Sequence, residues 1–356
     1  MAENVNQKIN GNNNSQIINV YGGIQEKEAR EISRETAHKV IEEYFQSSQT
    51  LATKRIKSFE NEFIDRINKL EKRFDSLKEP DFVMAYRKAQ ISAAKTDEDS
   101  AYKMLSELLI HRDQNSKNQY KKTGVDGAIE IVNQLSDQSL SALTVLVCIE
   151  TGIAPASNDL NEGLKVLNDL YSSILKNGLP HDENWMDQLD VLKAVRINTL
   201  SSFIKFDVLI GKIMPGYLAA GIKKDSEDYQ KARKLQEDNH LNVLIPHPLN
   251  NNFYIVPVIN KNQIMSLSKI ENGTEVSLND VEKNCCRTIY DLYSKVPDDL
   301  KEAKIRFSKK IDTYPSLKKL HEWWDSIKNS CNVTMIGKVL GHTNAKKCFS
   351  GFPDLD

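Results

Sequence analysis

No stretch of 18 consecutive apolar residues occurs in the 356-residue chain, which excludes an ordinary membrane-spanning helix. The opening Met1-Ala2-Glu3-Asn4 lacks the basic and apolar regions of a secretory leader. Cysteine is sparse: the five, two of them adjacent (Cys285, Cys286), match neither a disulfide framework nor a zinc pattern. A reduced, cytoplasmic protein is expected. Charge of one sign is missing too, with Lys+Arg 48 against Asp+Glu 49, so no global field recruits nucleic acid or anionic lipid. Standard catalytic signatures are absent, among them G-x-G-x-x-G, H-E-x-x-H, G-x-S-x-G and the EF-hand loop. No metal or cofactor is therefore expected, and the residues name no reaction. What the chain does have is 40% apolar residues, enough for a core, and a length of roughly two domains at about 150 residues each.

Asparagine and glutamine crowd the start, centred on Gly11-Asn12-Asn13-Asn14-Ser15-Gln16. Glycine and asparagine tolerate positive φ, so a hairpin turn there has a mechanism. The run Gln16, Ile17, Ile18, Asn19, Val20 reads as a strand with apolar residues on both faces. A lone hairpin is marginal in water; it either pairs with copies from other subunits or remains a flexible polar tail. Between Gly23 and Pro80 there is no glycine or proline. Phe59, Phe63, Ile67, Leu70 and Phe74 step at helical, nearly heptad spacing, which predicts a long coiled-coil-like helix over 25–79. Its stripe needs another subunit or the chain's own later helices.

Downstream, capping and stop signals predict a multi-helix body: helices over 81–95, 96–110, 116–135, one opened by Ser136 or Ser139 and ended by Gly152, 159–176, one long helix over 183–213, and a polar helix over 226–239. The prolines in Val243–Pro248 and Phe253–Val258 fit two short extended segments around a turn. Helices resume over 261–270 and 278–294, and a basic helical stretch covers 297–330. The expected fold is mostly α. Its parts are a β-strand or hairpin segment (1–24), the long helix (25–79), a helical body (80–240) and a C-terminal α+β region with a minor β-hairpin element (241–356).

Chemistry is thin. His247 lies between two prolines and reads as a structural loop residue; Cys148 sits in an apolar helix and reads as core. Over 300–348 there are eleven Lys and Arg against four acids. Lys309, Lys310, Lys318 and Lys319 with Trp323 and Trp324 could hold a nucleic-acid backbone and stack on bases; equally, the lysines solvate a surface and the tryptophans anchor a helix. Arg233 and His240, seven apart in a polar helix, share a face. Their spacing resembles the loosest Arg-x6-His motif of HEPN-type RNases, which implies a His acid or base and an Arg stabilising the phosphate transition state.

Two further patches look familiar. The Gly11–Val20 string resembles the short N-terminal strand that many bacterial defence and accessory-genome proteins carry. Trp323-Trp324, then Val333-Thr334-Met335-Ile336-Gly337-Lys338-Val339-Leu340 and Asn344, resembles the closing Trp, L-T-x-x-G-K and Asn pattern of abortive-infection alpha-type proteins. The resemblance implies a bacterial cytosolic anti-phage protein and assigns no catalytic residue. The expectation is a homo-oligomeric sensor or scaffold acting by protein binding, with itself as first partner and a phage or host protein as trigger. The rival is an α-helical RNase-type toxin or nucleic-acid-binding effector.

Overall fold

The computed structural model describes residues 26–70, 74–151, 157–182, 184–271, 273–353 and 355. Gln16, Ile17, Ile18, Asn19 and Val20, and with them the expected hairpin, lie outside the described residues. The chain divides into two units, Met1–Lys54 and Arg55–Asp356, and the boundary falls within α1 (Glu26–Asn68). That helix runs unbroken because nothing in it interrupts the hydrogen-bond ladder. It stops at Asn68, short of the expected 79, so Leu70 and Phe74 follow it in a turn and a connecting segment.

The second unit is mostly α, as the punctuation predicts. Helices α2 (Pro80–Ala94), α3 (Asp99–Gln114), α4 (Gln119–Ile131), α5 (Asp137–Glu150) and α6 (Leu160–Ile174) follow in order. Side-chain caps from Asn118, Ser136 and Asp159 begin the last three, each satisfying an amide that the first turn leaves unpaired. After α7 (Asn184–Val191) come β1 (Val195–Asn198) and α8 (Phe206–Ile213). The expected helix over 183–213 is thus broken in the middle. Lys193 takes φ +61, and β1 pairs antiparallel with β7 (Ser330–Val333), Val195 opposite Val333. After β7, α13 (Met335–Cys348) closes the fold. It runs through the centre of the unit against α5 and α4, with Val339 and Leu340 fully buried.

A second core sits apart from this one. It holds β2 (Ile222–Lys223), α9 (Glu227–Asp238), β3 (Ile245–His247), β4 (Asn250–Ile255), the hairpin β5 (Ser268–Glu271) and β6 (Thr274–Ser277), and α10 (Asp280–Asp291). The sheet order is β2-β4-β3. Ser294 N–H donates to Gly221 O at 2.8 Å, so the segments that enter and leave the module meet. α11 (Pro297–Ile311) and α12 (Pro315–Ser326) then return to the first core. The sequence division at 240/241 cuts this module, separating α9 from the sheet it covers. The reason is that α9 buries only Ala232 and Gln236, too few apolar residues to show where it belongs. Residues 261–270, expected helical, form a 3-10 turn over Lys261–Ser266 and then β5.

Candidate functional site

The stripe of α1 has two fates. Phe59 and Phe63 are buried in their own chain, stacked 6.2 Å apart, with Tyr86 of α2 at 5.9 and 5.5 Å. Phe74 meets Phe63 and Phe82 edge-on at 5.8 and 5.3 Å, and Ile67 packs on the same core. These residues, expected to assemble subunits, are instead internal, because α2 supplies complementary rings. Burial and the adjacent Glu60 push the Tyr86 phenol up to about 12.

Upstream the pattern persists on exposed side chains. From Lys27 to Leu51 every described side chain of α1 is exposed. Tyr44 is 70% exposed, Ile41 64% and Phe45 63%, joined on one side of the helix by Val40 and Leu51. With large side chains each burying about 150–250 Å² when covered, their exposure leaves roughly 600 Å² of apolar surface, the upper end for the largest patch on a monomer. From residue 37 to 54 the partition is complete. At 100° per residue, Ala37, Val40, Ile41, Tyr44, Phe45, Ser48, Leu51 and Ala52 fall within about 140°; Lys39, Glu42, Glu43 and Lys54 all fall outside it. A helix gains most of its stability from packing such a face.

The other expected sites dissolve on inspection. α9 ends at Asp238, and His240 lies beyond it at φ +48, so Arg233 and His240 do not share a helical face. The HEPN-like spacing is a spacing in sequence only. Trp323 and Trp324 are buried and each donates its indole N–H to a carbonyl, Pro180 O at 3.0 Å and Ile204 O at 2.9 Å, so they anchor α12 to the body. Lys310 lies 5.7 Å over the Tyr314 ring and Lys318 is 3.9 Å from Glu322, while Lys309 and Lys319 are exposed on α11 and α12.

Two clefts of about 380 and 360 Å³ flank Ile327 and Lys328, one over Trp185 and Trp323, the other over Phe203 and Trp324. Both reach small-molecule size, but the first carries Asp182 and Asp187 against Lys328 and the second Asp325 against Lys205 and Lys328, so no single ligand charge is selected. Beside them His321 places Nδ1 3.2 Å from Asp312 and Nε2 4.0 and 3.9 Å from Asp207 and Asp325, its ring stacked on Phe206. Both nitrogens face carboxylates, so the residue anchors α12 to α8. Among the described residues no group of three His, Cys, Asp or Glu could hold a metal.

The familiar C-terminal residues are architectural. Thr334 caps α13 by accepting from Gly337 N–H, and its hydroxyl donates to Lys193 O at 2.6 Å. Gly337 and Gly341 let α13 approach the Ala194 carbonyl and α5. Lys338 reaches Glu150 at 2.5 Å, and Asn344 Nδ2 donates to the Thr144 hydroxyl at 2.9 Å.

His247 is structural as well: Nε2 faces Ala219 O at 3.0 Å, and Nδ1 accepts from Leu249 N–H. Burial, and secondarily the charge of Arg306, hold this imidazole below its ordinary 6.5. The unfolded chain therefore takes up a proton near pH 6.5 that the folded chain resists, and stability falls as the pH drops below about 6.5. In denaturant melts between pH 7 and 5, His247→Gln is expected to show a shallower pH slope than the parent; equal slopes would remove His247 as the cause. Cys148 is buried and its thiol pushed up to about 12, so it is core and not a nucleophile.

No helix among the described residues is long and apolar enough to cross a membrane. Neither a curated protein nor a solved structure matches the chain. A family model that carries no functional description matches residues 23–356, and the chain belongs to that family.

Proposed function

We propose that this protein is a homo-oligomeric scaffold or sensor of bacterial anti-phage defence, working in the cytoplasm by binding proteins, a phage or host protein serving as trigger. The observation that carries the self-association is the exposed apolar face of α1 between Val40 and Leu51. Left in water it costs free energy at roughly 25 cal/mol per Å², and a second copy offers the same uncharged surface in return. The defence role is supported by the resemblance of the Trp323–Asn344 pattern to abortive-infection alpha-type proteins. Size-exclusion chromatography with light scattering on the full chain at tens of micromolar is expected to give a defined oligomer, and Ile41→Glu/Phe45→Glu a 40.5 kDa monomer. A parent that stays monomeric overturns self-association. In cells challenged with phage, the parent is expected to lower plaque yield and the double variant to restore it; equal yields with and without the parent overturn the defence role.

A further inference from the structure

Resting on the protein-binding role proposed above, we propose that the surface where α3, α4 and α13 meet is a peptide seat for the pattern Phe-Pro-x-Leu. In this structure the chain's own segment after α13 fills it; a partner protein carrying the same pattern displaces that segment. Phe352 is the anchor. It is 3% exposed in the main core and meets the His342 ring edge-on at 5.4 Å. His342 in turn stacks on His111 of α3, with ring centroids 6.3 Å apart. Beyond the anchor the backbone is gripped twice. His342 Nε2 donates to Pro353 O at 2.7 Å, and Lys121 Nζ of α4 donates to Leu355 O at 2.8 Å, while the Leu355 side chain packs against the core.

The occupant's chemistry is read from the segment already seated there. Main-chain carbonyls take the bonds from His342 and Lys121, which tolerates many sequences, and the ring of Phe352 supplies the specificity. Proline directly after the anchor brings no N–H that would need a partner, and its fixed φ lowers the cost of ordering the peptide. The segment is also poised to leave. Residues 349–353 form neither helix nor strand, and Ser350, Gly351 and Pro353 are exposed. One buried ring, one half-buried leucine and two bonds to the body oppose the entropy of ordering the whole stretch, so it opens more readily than the helices beneath it. Held in cis at an effective concentration of about 1 mM, it keeps the seat closed to weak competitors and yields to a partner that adds contacts of its own.

The probe is a fluorescein-labelled peptide of residues 349–356, Phe-Ser-Gly-Phe-Pro-Asp-Leu-Asp, titrated with the full chain and followed by anisotropy. The full chain with Phe352→Ala, whose own segment has lost its anchor, is expected to bind the peptide about tenfold or more tightly than the parent, where the cis segment competes. The peptide with Phe352→Ala is expected to bind that chain about tenfold or more weakly. Equal affinity of the two chains, equal affinity of the two peptides, or no binding overturns the seat. The three tryptophans, Trp185, Trp323 and Trp324, lie in the same unit and are expected to keep native emission in the variant; altered emission makes Phe352 indispensable to the core and overturns displacement. In the parent, the Phe352 amide, which donates to Phe349 O at 3.0 Å, is expected to exchange its hydrogen about 100-fold or more faster than the Val339 and Leu340 amides of α13; equal protection overturns displacement as well. Absence of peptide binding leaves self-association to its own test, and a monomeric parent that binds the peptide overturns self-association alone.

Discussion

Replacing Gly337 with alanine is expected to lower the unfolding free energy by roughly 3 kcal/mol or more, read from urea melts followed by tryptophan emission. A Cβ there would lie 2.1 Å from Ala194 O and 2.8 Å from Val333 Cγ1. Backbone is the obstacle, and it is fixed from several sides. Ala194 O accepts from Thr334 N–H at 3.0 Å, and Ala194 N–H donates to Leu189 O at 2.8 Å. Moving it would also drag β1 out of register with β7. Alanine gains about 1 kcal/mol over glycine in a helix interior, but that gain is smaller than the clash and opposite in sign. Gly211→Ala separates the two terms: its Cβ would meet Leu218 Cδ2 at 3.4 Å, ordinary contact, inside helix α8. That variant is expected to be neutral or stabilised by up to about 1 kcal/mol. If both variants melt alike, α13 can recede from β1, and the close approach is not a constraint.

That glycine shows what the sequence could and could not say. The G-K pattern after Trp323-Trp324 was visible in the string, but its purpose needed Ala194, 143 positions upstream, which no local periodicity connects. The same limit explains the false helix over 183–213. Leu189, Val195, Phe203, Phe206 and Ile210 have helical spacing, yet Val195 and Ile197 are β-branched and find a partner strand more than 130 residues away. By contrast α4 to α6 were legible because each has a local capping residue and a continuous apolar face. The stripe of α1 was legible as a stripe but not as two. Phe59 and Phe63 repeat with the same period as Ile41 and Phe45, and period alone does not tell which half the chain itself will cover. His240 failed for a different reason: a face-sharing argument assumes that the helix continues, and α9 ends at Asp238, two residues before it.

Around Arg112 the expected ordering of two substitutions runs against their apparent severity. Its side chain is only 5% exposed, with Nε donating to Asp126 Oδ1 at 2.6 Å and Nη2 3.4 Å from Asp81, and the guanidinium lies 5.8 Å over the Phe82 ring. Lys122 bonds Asp81 as well, and this contact first, then Arg112, holds the Asp81 carboxyl below its ordinary 3.8. Asp126→Asn keeps the shape but leaves a buried cation whose remaining carboxylate partner is half exposed and shared with Lys122, and is expected to cost roughly 2–4 kcal/mol. Arg112→Met removes the cation itself. Methionine adapts to the space along Phe82, while Asp126, whose side chain is 30% exposed, regains water, so the loss is expected to be only about 1–2 kcal/mol. Urea melts of the two variants decide between burial and bonding as the larger effect. The expected order follows if desolvation of the guanidinium dominates. The reverse order would mean that the paired hydrogen bonds to Asp126 outweigh the cost of burying the charge, and that the packing of α3 on α4 depends on them.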